Sequence, residues 1–131
     1  MARPKHEHPT PGELEVLKIL WDRGPSTVRE VMDVLNQQRR RQYTSVMSLL
    51  NVMTDKGLLV RRPQGRAFVY QAKVAREKTL RQLVGDLLGR VFEGSASALV
   101  AHVLDQSQPS PDELDELRNT IEQYGKQQGA R

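Results

Sequence analysis

The chain has 131 residues, with 20 Lys/Arg against 16 Asp/Glu and no cysteine. That is enough for one compact domain or a small domain with an oligomerisation module, and it excludes disulfides and thiolate metal sites. Residues 1–73 hold 13 Lys/Arg and 7 Asp/Glu, whereas residues 74–131 hold 7 and 9; the first half is therefore the half expected to face a polyanion, unless its cations only solvate the surface.

Residues 1–9 are polar and expected to be loose. His6 and His8 flank Glu7, but two histidines without a third fixed ligand are a poor metal site, and no metal or cofactor is expected. Thr10-Pro11-Gly12-Glu13 then reads as a helix start, with a capping threonine, a proline at the first helical position and a glutamate that closes the capping box. Leu14, Leu17 and Trp21 share one face of this helix, with Ile19 and Leu20 nearby, and Gly24-Pro25 ends it. A second helix begins at Ser26 or Thr27, where Thr27 and Glu30 repeat the box spacing. Its apolar face is Val28, Val31, Met32 and Leu35. The cationic run Arg39-Arg40-Arg41 follows, either touching a phosphate backbone or serving as plain loop charge.

Residues 44–56 read as a third helix capped by Thr44. Val46, Leu49, Leu50 and Met53 fall at i, i+3, i+4 and i+7, one apolar face. The other face carries Thr44, Ser45, Ser48, Asn51 and Asp55, all small or polar. Gly57 fits the helix end. Leu58–Arg62 and Arg66–Gln71 then read as two strands around Pro63-Gln64-Gly65. Three helices and a basic hairpin within about 70 residues predict a winged helix-turn-helix. The fold class is thus mainly α with a small β-hairpin.

The second half changes character. Leu80, Leu83, Val84, Leu87, Leu88, Val91 and Phe92 form one broad apolar stripe and predict a single long helix. Gly94-Ser95 interrupts it, and Leu99, Val100, Val103 and Leu104 mark a short helix. Ser110-Pro111-Asp112-Glu113 opens a last one with Leu114, Leu117 and Ile121. Helices this few bury little by themselves, so a second copy of the chain is the simplest partner; folding back over the first half is the alternative. The expected organisation is a flexible segment 1–9, a winged helix 10–73, a helical dimerisation region 74–126 and a flexible segment 127–131.

No apolar run reaches the roughly 18 residues that span a bilayer, and the start lacks the apolar centre of a secretory signal; the cytoplasm is the expected compartment. Trp21 is the only tryptophan, which disfavours single-strand binding by aromatic stacking. No nucleophile–base pair, phosphate-cradling glycine loop or carboxylate constellation stands out, so an enzyme is not expected.

The residues expected to meet DNA are Thr44, Ser45, Ser48 and Val52 on the third helix, with Arg61, Arg62 and Arg66 along the wing. Short hydroxyl side chains allow close approach to phosphates and base edges, and wing arginines set register on the backbone. For Thr44 a purely capping role is the alternative. The residues expected at the dimer interface are Leu80, Leu83, Leu87, Leu88, Val91, Leu99, Val103, Leu104, Leu114, Leu117 and Ile121.

Several segments resemble the penicillinase-repressor family of bacterial transcription factors. They are Glu15-Val16-Leu17-Lys18-Ile19-Leu20-Trp21, Gly24-Pro25-Ser26-Thr27-Val28-Arg29-Glu30-Val31, Tyr43-Thr44-Ser45-Val46-Met47-Ser48-Leu49-Leu50, Lys56-Gly57-Leu58 and Gly65-Arg66-Ala67-Phe68-Val69-Tyr70. Val91-Phe92-Glu93-Gly94-Ser95 and Ala98-Leu99-Val100-Ala101-His102 also fit, so the resemblance covers residues 10–124. It implies an N-terminal winged helix, a C-terminal dimerisation region and repression from a dyad operator, often of β-lactamase genes. It also implies relief when a membrane-bound sensor protease cuts the dimerisation region. His102-Val103 aligns with the cut region but lacks the asparagine–phenylalanine pair of many cleaved members, so a place in the helical core or its edge is the alternative for both residues. The family commonly carries arginine where this chain has Val52; either the valine meets a thymine methyl or the operator sequence differs from the family's. The copper-responsive branch carries a C-terminal cysteine cluster that is absent here. Outside repression by proteolytic relief, the readings left open are a ligand-controlled repressor and a winged-helix protein-interaction module.

Overall fold

The computed structural model describes residues 9–129. The chain divides into two compact units, the first ending at Gly85 and the second beginning at Asp86. Its elements run α1 (Pro11–Arg23), β1 (Ser26–Thr27), α2 (Val28–Leu35), α3 (Tyr43–Asp55), β2 (Leu59–Gln64), β3 (Ala67–Ala72), α4 (Arg76–Arg90), α5 (Ala96–Ser107) and α6 (Pro111–Gly129).

Both expected capping boxes form. The Thr10 hydroxyl accepts from the Glu13 amide at 3.2 Å while the Glu13 carboxylate accepts from the Thr10 amide at 2.9 Å. Thr27 and Glu30 exchange the same pair of bonds at the start of α2. Each box satisfies two amides that have no partner inside the helix. Gly24 follows α1 with φ 85°, a conformation glycine adopts without a Cβ clash, and Ser26 donates its hydroxyl to the Gly24 carbonyl at 3.0 Å.

The core of the first unit is built where α1, α2 and α3 face one another and the sheet. Val16, Leu17, Leu20, Val31, Val46, Leu50, Met53, Leu59 and Tyr70 are buried together. The α1 face is rotated from the one read in the sequence. Val16 is fully buried, while Trp21 lies at the edge and donates its indole N–H to the Val74 carbonyl at 2.9 Å. An indole places its N–H where an acceptor exists, and this one is supplied by the chain leaving β3.

The sheet has three strands rather than two, in the order β1-β3-β2. Ser26 pairs with Tyr70 and Thr27 with Val69. A strand of two residues has no periodicity to read, and Thr27 also caps α2. The hairpin is tighter than expected: Pro63 and Gln64 belong to β2, with Pro63 opposite Phe68, and only Gly65-Arg66 makes the turn. Pro63 is tolerated because β2 is an edge strand and need not donate outward. Gly65 has φ 62°, which a two-residue turn matched to strand twist requires.

Two further expectations are corrected. Thr44 is not the cap of α3; the N-cap is Gln42, which makes no side-chain capping bond. At its other end α3 stops as foreseen on Gly57, with φ 84°. There the Gly57 amide donates to the Thr54 carbonyl at 3.0 Å and the Leu58 amide to the Met53 carbonyl at 2.9 Å, a Schellman arrangement. The long helix α4 ends at Arg90, so Val91 and Phe92 lie in the turn beyond it. Glu93 at φ 51° and Gly94 at φ 82° reverse the chain there.

In the second unit, Ser95 caps α5 by accepting from the Ala98 amide, and Ser110 does the same for Glu113 at the start of α6. The Phe92 ring meets His102 edge-on with centroids 5.3 Å apart. None of the described residues from Asp86 onward is buried. Leu88, Leu99, Leu104, Leu114 and Leu117 are half-buried, while Leu87, Val91, Val103 and Ile121 are exposed, the last by 63%. No helix among the described residues is long and apolar enough to cross a membrane.

Candidate nucleic-acid interface

α3 presents one face to the core and one to solvent. Thr44, Ser45, Ser48 and Val52 are all exposed. They recur at helical spacing along about 12 Å of axis. Tyr43 and Met47 are exposed beside them, and the Arg29 guanidinium of α2 lies 5.8 Å from the Tyr43 ring centroid. The outward face thus combines hydroxyls, a cation and apolar groups of the size that meets thymine methyls.

The three wing arginines do not form one row. Arg61 pairs with Tyr70 across the hairpin, Arg62 with Val69, and Arg66 occupies the turn. Side chains alternate along a strand, so Arg61 and Arg62 point to opposite faces of the sheet. Arg61 turns toward α3: its Nη1 donates to Asn51 Oδ1 at 3.0 Å and its Cζ lies 4.3 Å from the Phe68 ring centroid. The buried Tyr70 hydroxyl donates to the same Asn51 oxygen at 2.8 Å. Asn51 therefore ties the hairpin to the exposed helix. Sequence periodicity places Asn51 among the polar residues of α3 but gives no sign of this role, because the contact depends on strand register.

Arg41 resolves to a structural part. Its guanidinium donates to the Leu35 carbonyl at 3.1 Å and bonds Glu15 at 2.9 Å, while its amide donates to Asn36 Oδ1 at 2.7 Å. It closes the end of α2 and fixes the entry to α3. Arg39 and Arg40 are exposed. His6 and His8 lie outside the described residues, and among the described ones no cluster of three metal-ligating side chains occurs.

The far end of α3 is held against α1 by Lys56, whose Nζ lies 2.8 Å from Glu13 Oε2; the Glu13 side chain is 3% exposed and that of Lys56 27%. Burial pushes the Glu13 carboxyl up, but the Lys56 and Thr10 hydrogen bonds and the Lys56 charge together hold it below its ordinary value. A lowered folded-state pKa means that the ionised carboxylate stabilises the fold above the ordinary glutamate value. That contribution is lost as pH falls through the folded value. Lys56→Met is expected to cost about 1–3 kcal/mol at neutral pH by leaving a buried carboxylate without its cation. The penalty should fade in acid, where Glu13 is protonated. Urea unfolding of both proteins at several pH values checks this, and a penalty independent of pH would sever the link between Lys56 and the Glu13 charge.

The penicillinase repressor family profile matches residues 9–123. The transcriptional regulator BlaI of Mycobacterium tuberculosis is 32% identical over 114 residues, spanning 84% of this chain and 81% of that protein. The penicillinase repressor of Bacillus licheniformis is 26% identical over 112 residues, spanning 86% and 88%. Among solved structures, the YusO protein of Bacillus subtilis has a TM-score of 0.50 at 18% identity, over 89% of this chain and 74% of that one; this similarity concerns the fold alone.

Proposed function

The chain belongs to the penicillinase repressor family, and we propose that it is a cytoplasmic transcriptional repressor that binds a dyad DNA operator as a homodimer. The observation that carries this reading is the exposed row Thr44, Ser45, Ser48 and Val52 on α3, set beside a cationic hairpin. α3 enters a major groove, and the wing approaches the backbone. Two-fold symmetry then places the half-sites on one face of the duplex. Repression follows from occluding a promoter, with β-lactamase or related genes as candidate targets.

The second unit supplies the dimer. Its helices leave Leu87, Val91, Val103 and Ile121 exposed and bury no described side chain. Apolar surface of this kind is stabilised by a second copy that covers it. Leu88, Leu99, Leu104, Leu114 and Leu117, half-buried in the same unit, add to that surface, whereas Leu80 and Leu83 belong to the first unit, where Leu80 lines a groove beside Leu14 and Trp21. Release follows from losing the dimer, because one half-site alone binds weakly. Cutting at His102-Val103 by a membrane-bound sensor protease would achieve this. That bond lies within α5, so α5 must unwind before a protease can seat it. Mass spectrometry of the repressor in cells exposed to a β-lactam tests the step, and an intact chain during derepression excludes it. Control by a bound ligand is the second reading. It is favoured by a groove of about 650 Å³ where the apolar Leu14, Trp21 and Leu80 are mixed with the charged Lys18, Asp22 and Arg76.

Arg66→Ala is expected to weaken binding to the same degree on every duplex sequence and to flatten the dependence of log K on log salt by about one unit. Arg66 sits in the hairpin turn and is exposed, so the fold is expected to survive. Fluorescence anisotropy on duplexes at several salt concentrations checks the prediction. An unchanged slope would remove the wing tip from the interface.

A further inference from the structure

We propose that Arg61 determines specificity by donating to a guanine edge in the major groove, whereas Arg62 and Arg66 hold phosphates. The inference rests on the operator-binding reading above and deepens it. Three observations separate Arg61 from the other wing cations. Its guanidinium stacks on the Phe68 ring at 4.3 Å, and its Nη1 is held at 3.0 Å by Asn51 of α3. The acceptor is itself fixed, because the same Asn51 oxygen takes the hydroxyl of Tyr70, which is 2% exposed. Arg62 and Arg66 make no such ordering contact among the described residues.

A guanidinium has five N–H donors in a rigid fork. Asn51 engages one nitrogen, and the side chain as a whole remains exposed. The remaining donors suit the O6 and N7 acceptors of guanine, the commonest arginine contact in the major groove. A cation held in advance by stacking and an amide loses less freedom on binding than a mobile one. Position agrees with this role. Asn51 neighbours Ser48 at i,i+3 on the flank of α3, so the bond to Asn51 brings the Arg61 guanidinium alongside the outward face of that helix. Val52 has no donor for a base, and Arg61 supplies one from the neighbouring strand.

The test is selection from randomised duplexes by full-length wild type, Arg61→Met, Phe68→Leu and Arg66→Ala, with circular dichroism to confirm folding. Methionine keeps a long side chain but has no donor for a base. Wild type is expected to enrich a dyad with a G·C pair at one matched position in each half-site. Arg61→Met should lose that preference by about 10-fold or more, within the range of one bidentate pair, and leave the other positions unchanged. Phe68→Leu should relax the same position partly, and Arg66→Ala should keep the wild-type motif with lower yield. If Arg61→Met retains the whole motif and loses affinity uniformly, Arg61 is a backbone contact and the proposal is overturned. If wild type enriches no sequence, the operator reading fails and the base contact falls with it.

Discussion

Ser48→Glu is expected to abolish operator binding while leaving the fold intact. Ser48 sits in the middle of the exposed face of α3, one turn from Thr44 and one from Val52. In a major groove that position faces base edges rich in acceptors, with phosphates on both sides. A carboxylate there meets like charge and has no donor to offer, and like-charge juxtaposition at an interface costs several kcal/mol. Binding should weaken by about 100-fold or more. Glutamate has a helix propensity at least equal to that of serine, so the thermal transition should not fall. Ser48→Ala removes only a hydroxyl and should cost far less, near one ordinary hydrogen bond of about 1 kcal/mol. Anisotropy titration of the three proteins on the selected duplex decides. Equal affinity for Ser48→Glu and wild type would remove α3 from the groove.

The double substitution Val103→Asp with Ile121→Asp is expected to convert the dimer to a monomer. Both side chains are exposed in the isolated chain, Val103 by 48% and Ile121 by 63%. Neither substitution should therefore disturb a core within its own unit. In a dimer that covers them, two buried carboxylates on each protomer would lack partners, and an unpaired buried charge is among the costliest changes available. Sedimentation should show one chain instead of two at micromolar concentration. Affinity for the full dyad should fall by about 10²–10⁴-fold, the range that linking two binding modules provides, while affinity for a single half-site stays near that of wild type. A double variant that remains dimeric would move the interface away from α5 and α6.

The fold was legible wherever a local rule has a short reach. The Thr10–Glu13 and Thr27–Glu30 boxes need only four residues each, and the buried face of α3 follows from its 3.6-residue period. The exposed positions of that helix follow as the complement. Legibility ended where long-range register takes over. β1 has two residues and exists because Tyr70 and Val69 lie opposite it. α3 starts at Tyr43 without a side-chain cap, so its start carries no local signal, and Thr44, one residue inside, mimics one. Pro63 has the sequence signature of a loop residue, because its compatibility with a strand depends on β2 being at the sheet edge. Of the candidate site, the helical residues were recoverable from periodicity, but the division of labour among Arg41, Arg61, Arg62 and Arg66 was not. Arg41 and Arg61 each find their partners only after folding, in Glu15 and Leu35 for one and in Asn51 and Phe68 for the other.

The decisive measurement is capture of genomic duplex fragments by the purified chain at roughly 150 mM salt, where non-specific electrostatic binding is weakened. A dyad sequence recovered at promoters, with two protomers bound per site, is the result that homodimeric operator recognition predicts. A folded dimer that enriches no sequence at that salt would contradict it and would favour a winged helix that serves protein contacts instead.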